Sequence, residues 1–240
     1  MPSHPEFLMS YGLRSIAFVA ELIHPPIQHD PRSLQRLHSE LFGSTECSYR
    51  DFRLIPGGAQ FSNAMGGLPG MPVSCANLLA DRVQIREEQT GMAREEFELR
   101  VGHLARAVLA SLPVKLFLAQ QYAVRSVINP HTSADAREFM LRTLFGFDDA
   151  LLNTFPAPPS LAGLRLAFPP AKEGNGIFNV RVESYSSDNR SLFLETVGTF
   201  WQPVQADGVD GLVQRFEATY DFLQDQLIQF VAQFDVEEGE

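Results

Sequence analysis

The residues of this chain that could do chemistry are few and scattered. Arg125 and Asn129 are the best placed. Arg125 lies on the apolar segment Lys115–Ile128 (KLFLAQQYAVRSVI) and Asn129 follows it directly, four residues on, so they share one side of a strand and lie near its end. There a guanidinium would hold an anionic group and a carboxamide would orient it. The same two residues equally read as a paired arginine and an asparagine capping the next turn. Tyr122 falls on the opposite side of that strand from Arg125. The glycine-rich stretch Pro56–Gly70 is the second candidate, with Gly57 and Gly58 at its start. It has neither G-x-x-x-x-G-K-[ST] nor a strand–GxGxxG–helix context, so a hairpin loop is its simplest reading and a loop closing over a ligand the functional one.

His24, His29 and Asp30 gather around the Pro25-Pro26 corner without the fixed spacing on a regular element that a metal site uses. Cys47 and Cys75 lack metal-type spacing, and Glu46 beside Cys47 would raise a thiol pKa rather than lower it. Both read as buried free thiols. No G-x-S-x-G elbow occurs. The single Trp201 reads as a core or sheet-edge anchor. We expect no catalytic residue, no metal and no cofactor. The ligand-binding candidates are Arg125, Asn129, Gly57 and Gly58.

These side chains need elements to position them. Ser15–Ile23 (SIAFVAELI) is apolar throughout, as an interior strand is. Asp30 as N-cap, Pro31 in the first turn and the Leu34, Leu37, Leu41 stripe predict a short helix ending at Gly43. Tyr49–Ile55 reads as a strand, Pro56-Gly57-Gly58 as a turn or bulge, and Cys75, Asn77, Leu79, Asp81, Val83 and Ile85 as one side of a single long strand. Phe97, Val101, Leu104, Val108 and Leu112 form the stripe of a long helix, closed by Pro113.

The second half begins with the Arg125 strand. Thr132 and Asp135 fit a capping box before Phe139, Met140 and Leu144. Pro156–Pro159 is a stiff connector, Leu161–Phe168 a short strand, and Gly176–Tyr185 with Ser191–Trp201 a hairpin. A final helix over about Val209–Phe234 carries Leu212, Phe216, Tyr220, Leu223, Leu227, Phe230 and Phe234, a heptad-like spacing that suits the protein's own sheet, a second subunit, or both.

Each half thus reads β-α-β-β-α, with an extra strand in the second. The expected class is α+β: a duplicated unit, largely antiparallel, with helices packed on one face of the sheet. The halves divide at 1–113 and 114–235, followed by an acidic tail, 236–240.

Composition bounds the function. At 240 residues, 45% hydrophobic and 20% charged, the chain can build a core without disulfides. Net charge is −10: residues 1–113 carry 10 basic and 12 acidic side chains (−2), and residues 114–240 carry 9 and 17 (−8). Such a surface repels phosphate backbones and anionic headgroups, so neither nucleic acid nor membrane is an expected partner. The start, MPSHPEFLMSYG, lacks a signal-peptide pattern, and no apolar run reaches membrane-spanning length. A cytoplasmic protein is expected.

The opening IAFVAELIHPPI, the segment YAVRSVINP and the closing SLFLETVGTFWQPV, followed by a Phe-bearing helix, resemble a sporadically distributed family of uncharacterised prokaryotic proteins of about this length. The resemblance covers nearly the whole chain and matches the family's strand arginine and asparagine at Arg125 and Asn129. It implies no established activity. The expected function is therefore non-enzymatic binding or interaction, through the sheet face or the seam between halves, with a protein partner or self-association through the C-terminal helix. The alternative is an enzyme or a binder of small anionic ligands, with Arg125 and Asn129 meeting the Gly57–Gly70 loop at the seam.

Overall fold

The apolar Ser15–Ile23 segment takes the middle of a sheet, where both its edges are paired. The computed structural model describes residues 11–44, 47–66, 68, 70–171 and 176–236. Outside them lie the opening segment 1–10, Glu46, Gly67 and Pro69 of the glycine-rich stretch, and the acidic tail beyond residue 236. The chain runs β1 (Arg14–Ile23), α1 (Pro31–Phe42), β2 (Asp51–Ile55), β3 (Gly58–Ala64), β4 (Val73–Leu78), β5 (Arg82–Glu88) and α2 (Arg94–Ser111). It continues through β6 (Ala119–Ile128), α3 (Ala136–Glu138) with a π-helical stretch Phe139–Leu144, α4 (Asp149–Leu152), β7 (Gly163–Phe168), β8 (Ile177–Ser184) and β9 (Leu192–Phe200). It closes with α5 (Asp210–Asp221), a π-helical stretch Phe222–Leu227, and α6 (Ile228–Ala232).

The fold is α+β. Among the described residues nine strands form one sheet in the order β2-β3-β4-β5-β1-β6-β9-β8-β7, every pair antiparallel. Strands up to residue 113 lie on one side of the β1–β6 pairing and later strands on the other. No helix among the described residues is long and apolar enough to cross a membrane.

Alternation along the strands sorts the side chains. Phe18, Ala20 and Leu22 on β1, Tyr122 and Val124 on β6, and Leu192 and Leu194 on β9 are buried. Phe18 meets Phe97 of α2 and Phe216 of α5, with ring centroids 5.3 and 5.6 Å apart, and Tyr122 meets Phe216 at 6.0 Å. The α2 stripe is buried from Phe97 through Leu112, and Leu212, Phe216, Leu223 and Leu227 of the last helix are buried with it. Each fully buried large apolar side chain contributes roughly 1.5–3 kcal/mol. Asp30 caps α1 by accepting from Ser33 N (3.0 Å), as its position predicts.

Four expectations need correction. The single long strand through Cys75–Ile85 is a hairpin, β4 and β5. Leu79 N donates to Arg82 O across its turn, and His24 N and Ile27 N donate to Asp81 O and Ala80 O. The first half therefore has the extra strand: five, against four in the second. Thr132 does not cap α3; Asp135 does so alone, accepting from the backbone of Arg137 and Glu138, while Thr132 turns to Asp235. Trp201 is 55% exposed, not a core anchor.

Buried Asp235 ties the two ends of the described chain together. It accepts from Tyr11 Oη (2.6 Å), His131 N (2.7 Å), Thr132 N (2.8 Å) and Thr132 Oγ1 (2.6 Å). Burial alone would raise its pKa, but these hydrogen bonds hold it below the usual carboxylate value.

Candidate functional site

Arg125 lies on the face of β6 opposite Tyr122, as alternation requires, and the sheet register surrounds it with carboxylates. Across β1, β6, β9 and β8 the residues facing one another are Ala17, Arg125, Glu195 and Arg181. Arg125 Nε donates to Glu195 Oε2 (2.6 Å), and its Nη1 lies 3.6 Å from Glu88 Oε1. Glu88 also accepts from Arg86 (2.8 Å). Glu195 lies 3.3 Å from Arg181, which in turn approaches Glu183 at 3.7 Å. The result is an alternating row, Arg86–Glu88–Arg125–Glu195–Arg181–Glu183, closed by Arg165 at 3.8 Å from Glu183. Four guanidiniums face three carboxylates, so the row is nearly neutral on a chain of net charge −10.

Two residues along each strand runs a second row, of small apolar side chains: Val19, Ala123 and Val197 stand opposite one another. A third row is made of amides. Gln60 Nε2 donates to Asn77 Oδ1 (2.9 Å), Asn77 Nδ2 to Gln84 Oε1 (3.1 Å), and Gln84 Nε2 to Glu21 Oε1 (2.7 Å). Arg82 holds the other oxygen of Glu21 at 3.3 Å, and Gln121 Nε2 continues the row to Thr199 Oγ1 (3.2 Å). Where the rows cross the β1–β6 pairing they enclose a shallow depression of about 350 Å³, floored by Val19, Ala123 and Val197. Its walls are the charged row on one side and the amide row on the other.

The other predicted site residues do not join Arg125. Asn129 lies just past β6, exposed, with its Oδ1 2.8 Å from Ser191 Oγ beside the β8–β9 turn. Pro56 and Gly57 form the β2–β3 turn, and Gly58 opens β3. Gly57 has φ +81°, and a Cβ on Gly58 would fall 1.7 Å from Leu78 O, so backbone geometry explains both glycines. That turn is four strands from β6, roughly 19 Å away. It is also level with Gln120, through Ala59–Leu78, Leu78–Val83, Val83–Leu22 and Leu22–Gln120, at the end of the sheet opposite Asn129.

His24 and His29 are occupied by backbone: His24 Nδ1 lies 2.8 Å from Pro25 O and His29 Nε2 2.8 Å from Leu79 O. Burial lowers the His24 pKa. Both cysteines are buried, and burial raises the Cys75 thiol. Of the heptad-like stripe of the last helix, Leu212, Phe216, Leu223 and Leu227 are buried in the protein's own core, and Tyr220, Phe230 and Phe234 are partly buried.

Sequence reasoning missed Glu21, Gln84, Gln121 and Glu195 at the depression, because cross-strand register sets their relation to Arg125. The period-2 polar alternation of β5 and β9 was the available signal. No protein-family model matches the chain, and no curated protein matches it either.

Proposed function

We propose that the protein is a non-enzymatic binding protein, built as a duplicated unit with its helices on one face of the shared sheet, and that the other face, around the β1–β6 seam, is its contact surface. The three rows carry the reading: an apolar strip set between a charged row and an amide row whose members already hold one another in place. Side chains fixed before a partner arrives lose little entropy on binding. The favoured partner is a protein whose surface presents an apolar strip flanked by hydrogen-bonding groups.

Strand order supports the duplication. The first strand of each half pairs with that half's last strand (β1 with β5, β6 with β9), a long helix follows each, and the two first strands pair antiparallel at the centre. Contacts of α2 and α5 with the apolar sides of β1, β6 and β9, and of α1 with Phe61 of β3 through His38 (5.1 Å), support a common helical face. The seam reading with an anionic ligand is weaker, because Glu195 and Glu88 already engage Arg125.

Affinity purification from the source cells, quantified for wild type and Ala123→Glu, tests the proposal. The substitution puts a charge on the floor of the depression and is expected to remove partners that wild type retains while leaving thermal stability unchanged. Identical partner sets would contradict it, as would turnover of a metabolite panel that Ala123→Glu abolishes.

A further inference from the structure

On the helical side of β7–β9, α5 and the π-helical stretch after it bound a groove of about 680 Å³, within the range of small-molecule sites. Its apolar wall is four phenylalanines. Phe178 and Phe222 stack at 4.4 Å and 13°, Phe168 meets Phe222 at 5.2 Å, and Phe200 stands edge-on to Phe178 at 5.9 Å. Phe222 opens the π-helical stretch, and such stretches concentrate at functional sites.

Among the described residues one cation, Arg215, lines this groove. Arg215 Nη1 donates to Gln120 Oε1 and to Gln202 O (3.0 Å), both neutral acceptors. Among the described residues no carboxylate pairs with Arg215, and no hydrogen bond engages its Nε or Nη2. That leaves the side of the guanidinium that grips a carboxylate with two parallel bonds. The guanidinium carbon is 6.0 Å from the Phe200 ring centroid, and burial pushes the Arg215 pKa down. A half-buried, unneutralised guanidinium beside an apolar wall favours an anion that carries its own apolar body. Asp221 and Asp225 line the same groove, further along the helix, and they disfavour multiply charged anions there.

We propose that this groove binds a small monocarboxylate with an aromatic or aliphatic body, its carboxylate on Arg215 Nε and Nη2 and its body against Phe178, Phe200 and Phe222. The site is separate from the seam depression and stands or falls without it.

Calorimetric titration of the full chain with 3-phenylpropionate and decanoate, with their methyl esters and with inorganic phosphate, tests it. The carboxylates are expected to bind and to raise the melting temperature. The esters and phosphate should bind roughly tenfold more weakly or not at all. Arg215→Lys keeps the charge without the two-bond geometry and should lose about tenfold for the acids alone. Ala218→Trp fills the groove from an exposed position on α5 and should abolish binding with wild-type stability, so a folding defect at Arg215 cannot mimic the result. Equal binding of acids and esters, binding that survives Ala218→Trp, or no binding by any probe would overturn the proposal.

Discussion

Arg125 and Arg215 are the same residue in opposite situations. Arg125 stands on the polar side of a central strand with Glu195 at 2.6 Å and Glu88 at 3.6 Å, its charge cancelled by neighbours on β9 and β5. Arg215 stands against the core side of the sheet, held by two neutral oxygens, with Nε and Nη2 unengaged among the described residues. A guanidinium's availability thus depends on what the register puts beside it, and not on its nearness to a strand end. Arg100 supplies the limiting case. It lies buried against Glu87, with side-chain exposures of 13% and 1%, and Ser74 donates to the same carboxylate at 2.8 Å.

Replacing each arginine by an apolar residue sharpens this contrast, and urea unfolding reads it. Arg100→Met should cost the most, about 3–5 kcal/mol, because it leaves a buried carboxylate unpaired. Arg125→Leu should cost under about 1 kcal/mol, since a third of its side chain is exposed and solvent screens the pair. In a double-mutant cycle Arg125 and Glu195 should couple by a similarly small amount. Arg215→Met should fall near zero: lost hydrogen bonds to Gln120 and Gln202 offset the relief of an unneutralised charge. A cost at Arg215 as large as that at Arg100 would break the comparison.

The apolar patterns were legible in the sequence. The β1 run, the α1 cap and stripe, the α2 stripe and the β8–β9 hairpin follow from alternation and capping, rules that act within a few residues. The β4–β5 hairpin was not. Its core residues are Ala76 and Leu78 before the turn and Val83 and Ile85 after it, so parity flips across Leu79–Asp81 with neither glycine nor proline to mark the change. The π-helical stretch at Phe222 was hidden because the apolar spacing of the last helix fits an ordinary α period. At the site, residue type drew attention to Arg125, but Glu88 and Glu195 reach it through two strand registers. Arg215 sits on an acidic helix between Asp210 and Glu217, with nothing in its neighbours to single it out. Only the fold brings Gln120, Gln202 and four phenylalanine rings to it.

A change of pH reads a different part of the molecule. His24 is buried with its pKa lowered from 6.5. Below pH 6.5 the unfolded chain takes up a proton that the folded chain resists, so stability should fall as pH drops, by at most about 1.4 kcal/mol per unit. Thermal melts between pH 7.5 and pH 5 should show this slope in wild type, Arg125→Leu and Arg215→Met alike, and a shallower one in His24→Gln. A slope that changes with either arginine would mean that a titrating partner sits beside it.

The most direct measurement is one calorimetric titration of 3-phenylpropionate into three proteins: wild type, Arg125→Gln and Arg215→Gln. If Arg125 is neutralised and Arg215 available, Arg125→Gln binds like wild type and Arg215→Gln loses binding. Loss in Arg125→Gln with binding retained in Arg215→Gln would contradict the account.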